Sequence, residues 1–545
     1  MNRLTPATLA GLESSAMRPR YDREGLRAGI VHLGLGAFAR AHLAAVTEMA
    51  LHASGDLAWG IVGVSLRHAD TRDALAPQGG LYTLALRDAG PDGAPREALQ
   101  VIGALMQVLV APDDPRAVLQ RIAHPDTRIV SLTVTEKGYH HEPATGALRL
   151  QDADIAHDLL HPDAPRSTLG FVVRGLQRRM RRSLPAVTLL SCDNLPANGD
   201  TLRGLVLAFA QQVDAELQEW IAVRCSFPNS MVDRIVPRTT DADRERIAQR
   251  LGLRDAWPVA AEPFMEWVVE DHFVAGRPAW ELGGPNGGAR FVLHAEPFER
   301  LKLRMVNGSH SALAYLGVMA GLRTVDQAVG AAPLRRFIDT LMRDEIEPTL
   351  PTLPGLDLAE YRTRLLRRFA NPALQHQTRQ IAMDGSQKLP QRLLGTVRDR
   401  LRGGQPITHL ALAVAVWVHY LGGVDETGQA FEVQDPLAAA LAQQLAVADQ
   451  AAHQASHQAA PPASCPATRQ SAADSAAHEQ RRVAVFCAFA PVFGELGGDV
   501  RFVQAVARHT LSLREHGVMA TLENCVASFT TAPAAAGPLP TTTSG

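Results

Sequence analysis

The chain has 545 residues, too long for one hydrophobic core, and its length fits two or three domains. Apolar residues make up 46% and charged residues 20%, the composition of an ordinary globular chain. The 54 basic and 56 acidic side chains nearly cancel, so there is no cationic excess for a nucleic-acid backbone.

The five cysteines (Cys192, Cys225, Cys465, Cys487, Cys525) form no C-x-x-C pair. That spacing argues against a disulfide framework or a structural zinc and fits a reducing compartment. The first twenty residues lack the apolar stretch of a secretory signal. The longest strongly apolar run, Leu410 to Val418, is about half of a membrane span. The expectation is a cytoplasmic protein with no membrane and no nucleic-acid partner.

Residues 1–28 read as a leader arm. Gly29-Ile30-Val31-His32-Leu33 is a short β-branched run and predicts a buried strand. A helical segment follows from about Ala39 to His52, closed by Ser54-Gly55-Asp56. Trp59–Ser65, Arg128–Val134 and Ala186–Ser191 predict further buried strands with helices between them. That alternation implies an α/β fold with a parallel, doubly wound sheet. From about residue 292 the patterns turn helical, at 306–321, 328–346, 389–403 and 406–421. The division expected is therefore 1–291 for the α/β domain and 292–545 for a mainly α-helical one. Residues 450–478 are Ala, Gln, Ser, His and Pro with few large apolar side chains, and are expected to form a flexible insertion; 532–545 are expected to be a disordered tail.

Between the first strand and helix lies Gly34-Leu35-Gly36-Ala37-Phe38-Ala39, which matches the dinucleotide pattern with Ala as its third small residue. Gly34 permits the tight turn. Gly36 lets a pyrophosphate approach the backbone, Ala37 and Phe38 open the helix, and Ala39 lets that helix lie close to the sheet. Asp70, beyond the second strand, is the candidate acid for the adenosine ribose and favours NAD, whereas Arg67 would suit the extra phosphate of NADP.

The segment Phe298-Glu299-Arg300-Leu301-Lys302-Leu303-Arg304-Met305-Val306-Asn307-Gly308-Ser309-His310 suits alcohol oxidation. That reaction needs a base for the hydroxyl proton and donors for the oxygen. Lys302 can be the base, with Asn307 and His310 as donors. On an α-helix Asn307 and His310 would lie roughly 60° apart, and Lys302 and His310 roughly 80°.

The chain resembles the mannitol dehydrogenase family of polyol-specific long-chain dehydrogenases. The resemblance rests on Gly29–His42, Thr133–Tyr139, Ser191–Gly199, Phe227–Pro237, Lys302–His310 and Gln380–Arg392, six motifs in order along the chain. It implies a Rossmann-type N-terminal domain, a helical C-terminal domain, NAD or NADP, and no metal. It also implies Lys302 as general base, Asn307 and His310 as oxygen-orienting groups and Glu299 as a proton relay. Asn194 and Asp233 would lie near the nicotinamide and substrate, and Lys388 at the far end of the substrate. A small polyol or sugar acid is the expected partner, handled by a monomer or weak oligomer. For a sugar acid, Arg379, Lys388 and Arg392 could clamp the carboxylate. Mannitol/fructose, mannonate/fructuronate and arabinitol chemistry remain open at this point.

Overall fold

The computed structural model describes all residues except 13–14, 91–93, 143–144, 284–287, 459–466 and 531–545. The chain divides into two compact units, 1–302 with 371–375, and 303–370 with 376–545.

The strands of the first unit are β1 (Ile30–Leu33), β2 (Ile61–Ser65), β3 (Tyr82–Ala89), β4 (Pro95–Ile102), β5 (Leu105–Val110), β6 (Ile129–Leu132), β7 (Thr188–Ser191), β8 (Ser230–Asp233), β9 (Val259–Ala261), β10 (Glu266–Glu270) and β11 (Ala289–Val292). The main sheet runs β5-β2-β1-β6-β7, and every pairing in it is parallel. Every residue of β1, β2, β6 and β7 is buried, as expected for strands covered on both faces. Ile30, Ile61 and Leu190 face a core closed by the helix Leu43–Ser54. Val31, Val130 and Leu189 face a second core closed by Pro115–Ile122 and Thr168–Arg181. The strand order reverses direction between β1 and β6, so a crevice opens past their C-terminal ends, where ligands of such sheets bind.

Two smaller sheets, β4-β3-β9 and β11-β10-β8, flank this core. The expected leader arm is packed instead. Leu4, Leu9 and Leu26 are buried, and Met17 bridges to Gln100 on β4.

The regular elements of the second unit are all helices among its described residues. Thr408–Tyr420 runs through its centre, buried at nearly every position, against Ser309–Met319 and Val500–Thr530. The expected flexible insertion at 450–478 is corrected over its described part. Residues 450–458 end the helix Ala438–Gln458, and 467–478 begin the helix Ala467–Cys487. Ala and Gln favour the helix, and small side chains allow close packing. Leu441, Ala448 and Ala452 are buried, as are Val483 and Phe486 on the other helix. The Gln444 side-chain amide donates to the Val485 carbonyl at 2.7 Å. Residues 459–466 and the expected tail, 532–545, lie outside the described residues. No described helix is long and apolar enough to cross a membrane.

Candidate active site

The turn after β1 takes its shape from Gly34. Its φ is +89°, and an added Cβ would lie 2.2 Å from the Thr133 carbonyl oxygen, so no other residue fits without displacing the end of β6. Gly36 caps the helix Ala37–Ala41. A Cβ there would meet only the Gly34 carbonyl oxygen, at 3.9 Å. The space in front of Gly36 is open, and a side chain would fill it; this is the cradle a pyrophosphate requires. Ala39 is buried against the core, with Ala37 and Phe38 half-buried beside it. The helix breaks at His42, whose ring stacks on Phe38 at 5.1 Å, and resumes at Leu43. Asp70 is exposed and opens the short helix Asp70–Leu75.

At the C-terminal end of β7 the chain runs Cys192-Asp193-Asn194. The buried carboxylate of Asp193 accepts N–H bonds from Val134 and Thr135, each at 3.0 Å, and the Tyr139 hydroxyl at 2.9 Å. It ties the end of β7 to the loop after β6, where Thr135 takes a left-handed φ of 64°. Burial pushes its pKa up to about 6, against these hydrogen bonds. The next residue, Asn194, accepts a hydrogen bond from the Lys302 ammonium through Oδ1 at 2.5 Å. Lys302 is only 5% exposed. Three residues earlier, Glu299 accepts the Ala197 N–H at 3.0 Å. Burial raises its pKa to about 7, so it titrates near neutrality. Asp233 is buried at the end of β8, opposite Glu266. His42 is held neutral, its pKa lowered to about 3 by burial, with Arg234 and Lys302 adding to the effect and Asp233 opposing it.

The helical run that carries Lys302 is not uniformly α. Glu296–Leu301 is α, Lys302–Gly308 is π and Ser309–Met319 is α again. The i→i+5 bonding of a π segment widens the turn, so the α-helical angles expected between Lys302, Asn307 and His310 do not hold. Gly308 lies inside the wide turn, where an added Cβ would come within 2.8 Å of the Arg392 carbonyl oxygen.

In the second unit, Asn307 is 7% exposed, and among the described residues neither its Nδ2 nor His310 Nε2 has a hydrogen-bond partner. Buried donors without partners are costly, so these two suit an oxygen-bearing ligand. His310 stacks on Phe369 at 4.9 Å and meets His376 edge-on at 5.3 Å. Burial, then the charges of His376, Arg392, Arg368 and Lys388, hold the His310 pKa well down. Lys388 donates to the carbonyls of Met383 at 2.6 Å and Ile381 at 3.3 Å. Arg392 donates to the Ser311 hydroxyl at 3.1 Å. Arg379 stands elsewhere in this unit, exposed, with its guanidinium 5.2 Å from the centre of the Phe431 ring.

The structure thus joins Asn194 to Lys302 directly, and sets His310 among Lys388, Arg392 and His376. Sequence reasoning did not single out Asp193, His42, Phe369 or His376. Asp193 lies inside the Ser191–Gly199 motif, but no spacing rule marks a carboxylate that serves backbone N–H groups. Among the described residues, no three His, Cys, Asp or Glu side chains are grouped as metal ligands would be.

Residues 28–282 match the mannitol dehydrogenase Rossmann domain, and residues 294–513 match the mannitol dehydrogenase C-terminal domain. The chain belongs to the mannitol dehydrogenase family. It is 46% identical to the D-mannonate oxidoreductase of Escherichia coli, over 77% of this chain and 86% of that protein. It is 42% identical to mannitol dehydrogenase 2 of Saccharomyces cerevisiae, over 80% and 86%. Its structure is similar to that of Pseudomonas fluorescens mannitol 2-dehydrogenase in a ternary complex with NAD and D-mannitol, with a TM-score of 0.84 and 36% identity over 96% of this chain and 99% of that one.

Proposed function

We propose that this member of the mannitol dehydrogenase family is an NAD-dependent oxidoreductase that interconverts a secondary alcohol and a ketone on a polyol or sugar acid, with Lys302 as its acid–base group. The observation that carries the reading is the buried Lys302 ammonium fixed by Asn194 at the C-terminal end of β7. The open cradle at Gly36 supports the dinucleotide.

NAD, when bound, would supply the acceptor for the hydride of the carbinol carbon. Lys302, as the neutral amine, takes the hydroxyl proton; in the reverse direction its ammonium returns that proton to the carbonyl oxygen. Asn307 and neutral His310 donate to the same oxygen and hold it as its charge develops. Glu299, titrating near neutrality, passes the proton between Lys302 and solvent. Asp70 takes the adenosine ribose, and Gly34, Gly36, Ala37, Phe38, Asn194 and Asp233 line the dinucleotide. Asn194 and Lys388 contact the substrate. Arg379, the remaining substrate candidate, has Phe431 as its neighbour and is given no part in these steps.

The substrate is of the mannitol/fructose type in this reading. A second reading, mannonate/fructuronate, is favoured by Lys388, Arg392 and Arg368, whose charges all act on His310 and would suit a carboxylate. The relatives bear both kinds of name. D-arabinitol is the third candidate. A monomer or weak oligomer in the cytoplasm belongs to the same reading; the four described cysteines are buried and form no disulfide among the described residues, which suits a reducing compartment.

NADH oxidation with D-fructose and D-fructuronate side by side, and NADPH as a control, tests the assignment. Turnover of fructose alone supports the polyol reading. Turnover of fructuronate alone replaces it with the sugar-acid reading, and NADPH preference would overturn the choice of NAD.

A further inference from the structure

An open surface cavity of about 390 Å³, most of whose lining residues are exposed, lies wholly within the second unit, at the C-terminal end of the Ser309–Met319 helix. His310 sits in the first turn of that helix, so helical rise separates it from Val318, one of the walls, by roughly 12 Å, whereas Gln377, another wall, follows His376, the edge-on neighbour of His310. The volume falls in the range of small-ligand sites, about 300–1,000 Å³. His310, Asn307 and Lys388 are not among its walls.

Two arginines, Arg323 and Arg379, are among its lining residues. Neither forms an ion pair among the described residues. Arg379 lies over the Phe431 ring, and that ring stacks on Tyr420 at 5.0 Å. A guanidinium lying over a ring keeps its N–H donors, which project in its own plane, for another partner. The one carboxylate, Asp425, is tied to its own turn. Its Oδ1 accepts the N–H groups of Thr427 and Gln429, at 3.0 and 2.9 Å, and the Thr427 hydroxyl at 2.6 Å.

The walls are held in place. The Thr378 hydroxyl donates to the Leu322 carbonyl at 2.9 Å, and the Thr378 N–H to the Arg323 carbonyl at 3.0 Å. Gly321 has a φ of +72°, and a Cβ there would come within 2.9 Å of the Thr427 methyl, so the two turns that face the cavity approach closely. Gln377 and Gln429 are also among the lining residues. Two cations against one carboxylate, on which the Arg379 charge already acts, leave a net positive charge, and Gln377, Gln429 and Thr427 are residue types that a hydroxylated ligand can bond.

We infer that this cavity binds a small hydroxylated anion, a sugar acid or sugar phosphate, at a site separate from the reacting centre. Arg323 and Arg379 take the anionic group; Gln377, Gln429 and Asp425 take hydroxyls.

Isothermal titration of the full chain with D-glucose 6-phosphate, D-gluconate and neutral D-glucose tests this. At least one anion should bind, about tenfold or more tightly than glucose, and should bind equally to the Lys388→Ala variant. Which anion binds identifies the charged group. Arg323→Ala and Arg379→Ala should each weaken binding by about tenfold or more, and Thr427→Tyr, which fills the cavity, should abolish it. The inference is overturned if neither anion binds, if glucose binds as well, or if the arginine variants bind like the parent chain. It is equally overturned if Lys388→Ala removes the binding, because the anion would then occupy the reaction site.

Discussion

Lys302, Asn194 and Glu299 divide a task by environment. Lys302 and Glu299 stand three residues apart, yet they bond to different partners, Asn194 and the Ala197 N–H. Glu299 is the pH-sensitive member, because burial lifts its pKa to about 7. A carboxyl whose folded pKa is raised holds more protons when folded than unfolded. Its contribution to stability is therefore present below the unfolded value and is lost as pH rises through about 7. Glu299→Gln should remove an ionisation near neutrality from the pH profile of kcat/KM. The variant should also gain thermal stability relative to the parent between roughly pH 5 and pH 8. An unchanged profile would take Glu299 out of the proton path. Such roles are legible in sequence only through motif resemblance. Asp193 shows why: its partners are backbone N–H groups, which no side-chain pattern announces.

At the scale of elements, the parallel strands were the most legible feature. β1, β2, β6 and β7 are buried on both faces, so each reads as a mainly apolar run, with His32, Ser65, Ser131, Thr188 and Ser191 as its polar members. β3 and β4 were not anticipated, because Arg87, Asp88, Arg96 and Glu97 break the apolar pattern where the two strands reach solvent and ion-pair partners. The π turn at Lys302–Gly308 could not be foreseen, since no residue type specifies i→i+5 bonding. The helices at 450–458 and 467–478 were missed for a different reason. Weighing large apolar side chains alone undervalued alanine, which both favours helix and packs closely. The turn after β1 separates two kinds of glycine. Gly36→Val meets open space at ordinary φ, so it should keep the melting temperature and weaken NADH binding, read by fluorescence titration, by about tenfold or more. Gly34→Ala should instead cost about 1–3 kcal/mol in chemical denaturation, from its positive φ and the Thr133 carbonyl. Equal effects from both would contradict this division.

Over the whole molecule, the composition change near residue 292 marks the passage from strands to helices. The compact units break after Lys302, and Asn371–Gln375 groups with the first unit, where the Asn371 amide donates to the Arg87 carbonyl at 3.0 Å. A short return of that kind carries no compositional signal. The helical unit depends on one continuous aromatic packing, in which Phe486 meets Trp417 at 6.1 Å and Phe493 at 5.8 Å. Phe486→Ala should destabilise the chain by about 3–5 kcal/mol in urea denaturation, and a loss under about 1 kcal/mol would mean that the packing there is loose. A chemistry run by Lys302 without a metal also predicts that dialysis against EDTA leaves the initial rate unchanged, whereas a loss restored by zinc would contradict it.

The most direct test of the central claim is single-turnover kinetics of Lys302→Ala with the substrate that the parent chain reduces, alongside NADH titration of the same variant. The account predicts a fall in the chemical step of about 10²–10⁴-fold with NADH affinity within about twofold of the parent. A variant that binds NADH normally and still turns over within about threefold of the parent rate would show that the proton is handled elsewhere.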